Sequence, residues 1–235
     1  TLFHRHKNSM KIKDKKLKRY ERKWVFNNID YNQLCLLLYR SNFKFIDQFN
    51  DRHVNSIYFD DKNFSAIRQN IEGINKKRKY RIRWYGGKEI LKSPLLEVKE
   101  KEGFIVTKSM HKINELNIIK LESSGSLEKI EDIVNKKLNL RNKIEPILTT
   151  HYLRSYFISS NKIVRATIDR EIKSLPLYRK GNINLFKEFK EIILEIKYDT
   201  NLDIYVRENL KNITARLSKN SKFVNSAIFN ASTYS

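Results

Sequence analysis

The sequence predicts an α+β protein: an antiparallel sheet closed on itself around a charged interior, with helices packed against its apolar exterior. Extended segments alternate with the period of two that defines a strand. Their polar sides are almost entirely Arg, Lys and Glu, whereas a merely wet sheet face would mix in Thr, Ser, Asn and Gln. Four other segments repeat apolar residues every three or four positions, which supplies helices to cover the outside. At 235 residues the chain is long enough to bury such a core.

The first nineteen residues carry Arg5, Lys7, Lys11, Lys13, Lys15, Lys16, Lys18 and Arg19 against Asp14 alone. They show no apolar periodicity, so residues 1–18 read as a solvated basic arm ahead of one domain over 19–235. In the first strand Arg19, Glu21, Lys23 and Val25 take one side and Tyr20, Arg22, Trp24 and Phe26 the other. A helix follows over 30–40, with Asp30 as N-cap and Leu34, Leu37 and Leu38 as its stripe. Asp60 or Asp61 opens a second helix over 61–72 carrying Phe64, Ile67 and Ile71. Residues 77–85 put Lys77, Lys79, Arg81, Arg83 and Tyr85 opposite Tyr80, Ile82 and Trp84, and residues 95–101 put Glu97, Lys99 and Lys101 opposite Leu96 and Val98. Ser123 to Ser126 reads as a loop. Ser126 then opens a third helix with Leu127, Ile130, Ile133, Val134 and Leu138. Tyr152/Arg154/Tyr156, Arg165/Thr167/Asp169 and Glu195/Lys197 give three more strand faces, the last backed by Leu194, Ile196 and Tyr198. A fourth helix is expected over 201–213, from Leu202, Val206, Leu210 and Ile213.

Lys and Arg number 48 and Asp and Glu 26, a formal charge of +22, while 40% of residues are hydrophobic. That balance excludes a disordered polycation and points to an anionic partner. No apolar run approaches the ~20 residues that span a bilayer, and the N-terminus lacks an apolar leader region, so a cytoplasmic location is expected. The single Cys35 lies in an apolar run, which excludes internal disulfides and a cysteine zinc site and marks it as a core residue.

An interior crowded with cations is stable only when anions fill it, because unpaired buried charges are costly to desolvate and repel one another. The implied ligand is a polyanion. Arg81 and Arg83 offer planar forks to phosphate oxygens, and Lys23, Lys79, Lys99 and Lys197 offer adaptable point charges. Glu21, Glu97 and Glu195 share those faces. Carboxylates beside phosphates are candidate ligands for Mg²⁺ or Mn²⁺, the alternative being simple pairing with neighbouring lysines.

Taken together, Arg19-Tyr20-Glu21-Arg22-Lys23, Ser56-Ile57-Tyr58-Phe59-Asp60, Arg78-Lys79-Tyr80-Arg81-Ile82-Arg83, Leu96-Glu97-Val98-Lys99, Thr167-Ile168-Asp169, Leu194-Glu195-Ile196-Lys197-Tyr198 and Ser218-Lys219-Asn220-Ser221-Lys222 resemble, in order and spacing, the successive motifs of the VTC (vacuolar transporter chaperone) domain. The resemblance implies the triphosphate tunnel metalloenzyme fold, an eight-stranded antiparallel barrel around a charged tunnel. It implies that Lys23, Lys79, Arg81, Arg83, Lys99, Arg154, Arg165 and Lys197 line that tunnel and bind triphosphate or product. It further implies that Glu195 holds the divalent metal and that Lys219, Ser221 and Lys222 belong to a segment closing over the phosphates. Lys108 matches another tunnel lysine, and Tyr152 is a candidate nucleotide contact. Arg19 stands where related tunnel phosphatases and cyclases open with the first glutamate of Glu-x-Glu-x-Lys, as it does in VTC domains. The Phe104–Met110 stretch lacks a second basic residue beside Lys108.

The activity implied is polymerisation of inorganic polyphosphate from ATP, with Arg81, Arg83, Arg154 and Lys222 as the catalytic cations and a divalent metal as cofactor. Phosphoryl transfer needs positioning and charge stabilisation rather than covalent help. The five histidines His4, His6, His53, His111 and His151 fall outside the charged faces and no serine lies in a nucleophile elbow, so the acceptor is read as the terminal phosphate of the growing chain. If water attacks instead, the same site is a triphosphatase. A membrane-protein partner outside this chain is also implied. Two further readings need no turnover: a silent polyphosphate receptor, or a nucleic-acid module using Phe59, Tyr80, Trp84 and Tyr85 among the basic residues. The glutamates in the basic faces and the absence of RRM, KH or helix-turn-helix motifs disfavour specific nucleic-acid recognition.

Overall fold

The computed structural model describes residues 19–102, 105–121, 123–177, 187–211, 213, 215–218 and 220–231. The basic arm and Lys219 lie outside the described residues. In chain order the elements are β1 (Arg19–Phe26), α1 (Tyr31–Arg40), β2 (Ile46–Asp60), α2 (Ser65–Ile71), β3 (Lys76–Tyr85), β4 (Leu95–Glu102), β5 (Ile105–Lys112), α3 (Ser126–Leu138), β6 (Glu145–Ile158), β7 (Arg165–Pro176), β8 (Lys187–Phe189), β9 (Ile192–Asp199), α4 (Asp203–Asn209) and α5 (Lys222–Ala231). Every strand pairing is antiparallel, in the order β1-β9-β7-β6-β2-β3-β4-β5, with short β8 added to β7.

The expected closure into an eight-stranded barrel is not seen: among the described residues the end strands β1 and β5 do not pair. The free edge of β1 is taken instead by the segment ahead of α5. Leu217 bridges Trp24, and the Ser218 N–H donates to the Lys23 carbonyl at 2.8 Å. The sheet is nevertheless strongly curled, because Lys99 of β4 reaches Glu21 of β1 at 3.0 Å although five strands lie between them in the pairing order.

Two apolar cores lie on the outside of the curl. Trp24, Ala166, Ile168, Leu194 and Ile196 pack with Leu34, Cys35 and Leu38 of α1 and Val206 of α4. Ile57, Phe59, Ile82, Trp84 and Leu96 pack with Ile130 and Val134 of α3. Asp30 caps α1 in a reciprocal capping box with Gln33, as its sequence indicates. The second helix is shorter than its periodicity suggests. Phe64 sits at φ 52°, and the Asp60 and Asp61 carboxylates accept from the amides of residues 61, 63, 65, 66 and 67, so α2 starts only at Ser65. The fourth helix ends at Asn209 rather than running to 213.

Helices packed solely outside is an expectation the structure corrects. The first turn of α5 lies on the concave side, where Phe223 stacks on Tyr58 with ring centres 5.0 Å apart. Tyr58, Leu148, Phe223 and Ala227 make a small inner core with Ala66 of α2.

Candidate active site

Strand register decides which side chains meet. Lys23 opposes Glu195, Glu21 opposes Lys197, Thr167 opposes Glu195, and Arg154 opposes Asp169. On the other wing Arg81 opposes Glu97 and Tyr58, and Lys99 opposes both Lys79 and Lys108. Partners in a ladder share a face, so the alternating charges of β1, β9, β7, β6, β3, β4 and β5 all point to the concave side. Lys23, Lys79, Arg81, Arg83, Lys99, Lys108, Arg154, Lys197 and Lys222 there outnumber Glu21, Glu97, Asp169 and Glu195 by nine to four.

Three clusters organise them. Glu97, 2% exposed, takes Arg81 at 2.6 Å, Arg83 at 2.8 Å and Lys108 at 2.9 Å. Burial pushes its carboxyl up, but those three cations hold it down at about 2. Asp169, 1% exposed, receives a two-point contact from Arg154, 2.7 Å on one arm, and a bond from Lys222 at the start of α5. Against its burial, Arg154 and Lys222 hold it at about 2. Glu195 takes Lys197 at 2.8 Å and Lys23 at 3.6 Å; against burial, these neighbours hold its carboxyl well below the usual range.

The cations feel the crowding. Burial, reinforced by Lys23, Lys99, Lys77 and Arg81, pushes Lys79 down to about 7. Burial pushes Lys108 down to about 8 despite Glu97. Lys79 donates to the Ser221 hydroxyl at 2.9 Å and Lys23 to the Asn220 carbonyl at 3.2 Å, so the segment leading into α5 crosses the cationic face. Several polar atoms on that face are buried without a hydrogen-bond partner: Ser56 Oγ, Thr150 Oγ1, Thr167 Oγ1 and Arg83 Nε. Unsatisfied buried polar atoms call for a ligand or water.

Of the metal candidates, Glu21 and Glu195 lie diagonally on β1 and β9; burial and Glu195 push the Glu21 carboxyl up, but Lys99 and Lys197 together hold it below its ordinary value. Thr167 Oγ1 is a further unpartnered oxygen beside Glu195. Among the described residues no three His, Cys, Asp or Glu side chains gather into a protein-only metal site. A pair of carboxylates nonetheless fits Mg²⁺ or Mn²⁺ when substrate phosphates supply the other oxygens. Glu21, held by Arg19 and Lys99, and Glu195, held by Lys23 and Lys197, also meet cations on both oxygens, so a metal there would displace them; Glu97, clamped by three cations within 2.9 Å on the β3–β5 wing, fits the role least.

The remaining candidates divide. Arg165 is exposed, at the rim beside Lys197. Tyr152 is 2% exposed, with Lys222 4.7 Å and Arg154 5.3 Å from its ring centre, so it supports those cations and offers no free face to a nucleotide. Asp169 was legible as a residue of a charged face, but its role as the joint between β7 and α5 appears only in three dimensions. His53 and His151 stack on the opposite side of β2 and β6, away from the cations.

The VTC domain model matches residues 6–229. Subunit 2 of the vacuolar transporter chaperone complex of Saccharomyces cerevisiae is 27% identical over 152 residues, which is 52% of this chain and 18% of that much longer protein. An adenylate-cyclase-like protein from Vibrio parahaemolyticus superposes with a TM-score of 0.52 at 14% identity, covering 89% of this chain and 98% of that one. One from Bacillus halodurans gives 0.50 at 14% identity over 87% and 96%. An adenylyl-cyclase-like protein from Hippeastrum, described as having a dominant triphosphatase activity, gives 0.50 at 13% identity over 91% and 96%. These solved structures share the fold. With its motifs in order from β1 to α5 and the family match over nearly its whole length, the chain belongs to the VTC domain family.

Proposed function

We propose that the chain transfers the γ-phosphoryl group of ATP to the end of a growing inorganic polyphosphate chain on this concave face. The observation that carries the reading is the excess of nine buried or half-buried cations over four carboxylates, each carboxylate already clamped by its own neighbours. Such a surface binds polyanions with charge to spare. Arg81, Arg83, Lys79, Lys99 and Lys108 would hold phosphates on one wing, and Lys23, Lys197 and Arg154 on the other. Lys222 at the start of α5 and Ser221 just ahead of it would close over them, with Arg165 at the rim, and Lys219 joins the phosphate-binding set on the resemblance alone.

Glu21 and Glu195 would hold Mn²⁺ or Mg²⁺, which when bound would supply positive charge against the phosphates. The protein's part is to align donor and acceptor in line and to present cations where negative charge shifts in the transition state. Incubating the chain with ATP and Mn²⁺ and resolving ADP, phosphate and polyphosphate tests the proposal. ADP with polyphosphate is the expected result, and intact ATP would overturn it.

A second reading is triphosphate hydrolysis: the same cations and carboxylates would serve it with water in place of the acceptor phosphate, and a protein of the same fold is described as having a dominant triphosphatase activity. ADP with orthophosphate and no polymer would decide for it.

No helix among the described residues is long and apolar enough to cross a membrane. We place the domain at the cytoplasmic face of a membrane through a partner subunit, in analogy with the complex named for its yeast relative.

A further inference from the structure

We infer that the aromatic cluster of Phe49, Tyr85 and Tyr156 around Arg52 is where the base of a nucleoside triphosphate docks, at one end of the cationic face. The inference rests on reading that face as a triphosphate site. Three rows of side chains lead there. On β3, Lys79, Arg81 and Arg83 are followed on the same face by Tyr85; on β6, Arg154 is followed by Tyr156; and Arg52 of β2 lies opposite Arg154. The chemistry of the face therefore changes at this end from point charges to flat rings, as a ligand with an anionic tail and a planar head requires.

The Arg52 guanidinium lies 5.0 Å from the Phe49 ring centre, 5.6 Å from Tyr156 and 5.9 Å from Tyr85. Phe49 meets Tyr156 edge to face at 5.8 Å. Arg83 links the two zones, with its guanidinium 5.1 Å from the Tyr85 ring and bonded to Glu97.

The strand is shaped to leave this cluster open. β2 bulges on both sides of Phe49, between Asp47 and Phe49 and between Phe49 and Arg52. β3 pairs with β2 only from Val54 onward, so the Phe49 stretch has a free edge on that side. Phe49 stays 49% exposed, so one ring of the cluster is open to a planar ligand. Rings and guanidinium groups stack on any base, so the platform would favour nucleotides over bare phosphate chains without fixing which base.

Dissociation constants for ATP and for inorganic tripolyphosphate, measured on the parent chain, Phe49→Ala and Phe49→Trp, test the inference. Phe49→Ala should weaken ATP about tenfold, the loss of one stacked ring, and leave tripolyphosphate unchanged; Phe49→Trp should restore ATP binding. Unchanged ATP affinity in Phe49→Ala, or equal loss of both ligands, would overturn the platform while leaving the cationic site standing. Failure of tripolyphosphate to bind the parent chain would bring down the phosphate reading itself, and the platform with it.

Discussion

Lys222 and Asp169 join the first turn of α5 to the middle of β7: the ammonium donates to Oδ2 of a carboxylate that Arg154 already holds from β6. Three separate elements thus meet on one buried acid, directly above the Tyr152 ring.

In the proposed transfer Lys222 would act on the charge that shifts in the transition state. Lys222→Ala should lower the turnover number about 10²-fold, the cost of one lost electrostatic donor, with a much smaller change in nucleotide affinity. Arg83→Ala should weaken both together, because in the proposed site Arg83 would hold ground-state phosphates. Parallel turnover and nucleotide-binding measurements separate the two, and an equal loss of affinity without a turnover effect would reduce Lys222 to one more anion contact.

Glu195→Gln keeps the shape of the side chain and removes its charge. Turnover that depends on divalent metal should disappear across a Mn²⁺ titration, while tripolyphosphate binding persists because Lys197 and Lys23 remain. Normal turnover in this variant would make Glu195 a structural partner of the two lysines.

Glu97→Gln leaves Arg81, Arg83 and Lys108 facing one another without their shared carboxylate. Breaking a buried ion cluster in this way costs about 3–5 kcal/mol. Saturating tripolyphosphate should then raise the unfolding temperature of the variant more than that of the parent, since the ligand replaces the missing anion. Equal rises would show that ligand and Glu97 do not share these cations.

Stability should climb with pH in two separate windows. Glu97 and Asp169, held at about 2, lie below their unfolded values, so their contribution is present above roughly pH 4.5 and is lost as pH falls toward 2. Lys79 and Lys108 are depressed bases, at about 7 and about 8 against an ordinary 10.5. The unfolded chain therefore binds more protons between those values, and stability rises again from about pH 7 to 10. Urea midpoints across the range check both steps. Tripolyphosphate should reverse the second by re-protonating the lysines, so its binding near pH 8 should take up protons, seen as a buffer-dependent binding heat; no dependence on buffer would refute that linkage.

Strand parity explains how much of this site was readable. Glu21 with Lys23, Lys79 with Arg81 and Arg83, and Glu195 with Lys197 sit at i and i+2, and that spacing assigns each set to one face wherever the strand goes. The segment Ile105–Lys112 was harder to read as a strand, because Thr107, Ser109 and His111 make its other face polar as well. Lys108 was placed only through the family resemblance.

The sequence by itself determined the strongly cationic character of this protein, the alternation that puts its cations together, the Asp30 cap and the helices α1 and α3. These are local: period, charge and capping act within a few residues. Tertiary structure decided that the sheet curls without closing, because the Leu217–Ser218 segment occupies the edge of β1 that a barrel would give to β5. It decided that α5 enters the concave face, that Glu97 is clamped by three cations and that Glu21 and Glu195 lie diagonally across β1 and β9. Those outcomes depend on register between strands far apart in the chain, and a one-residue slip in any ladder would exchange every partner while leaving the sequence pattern unchanged.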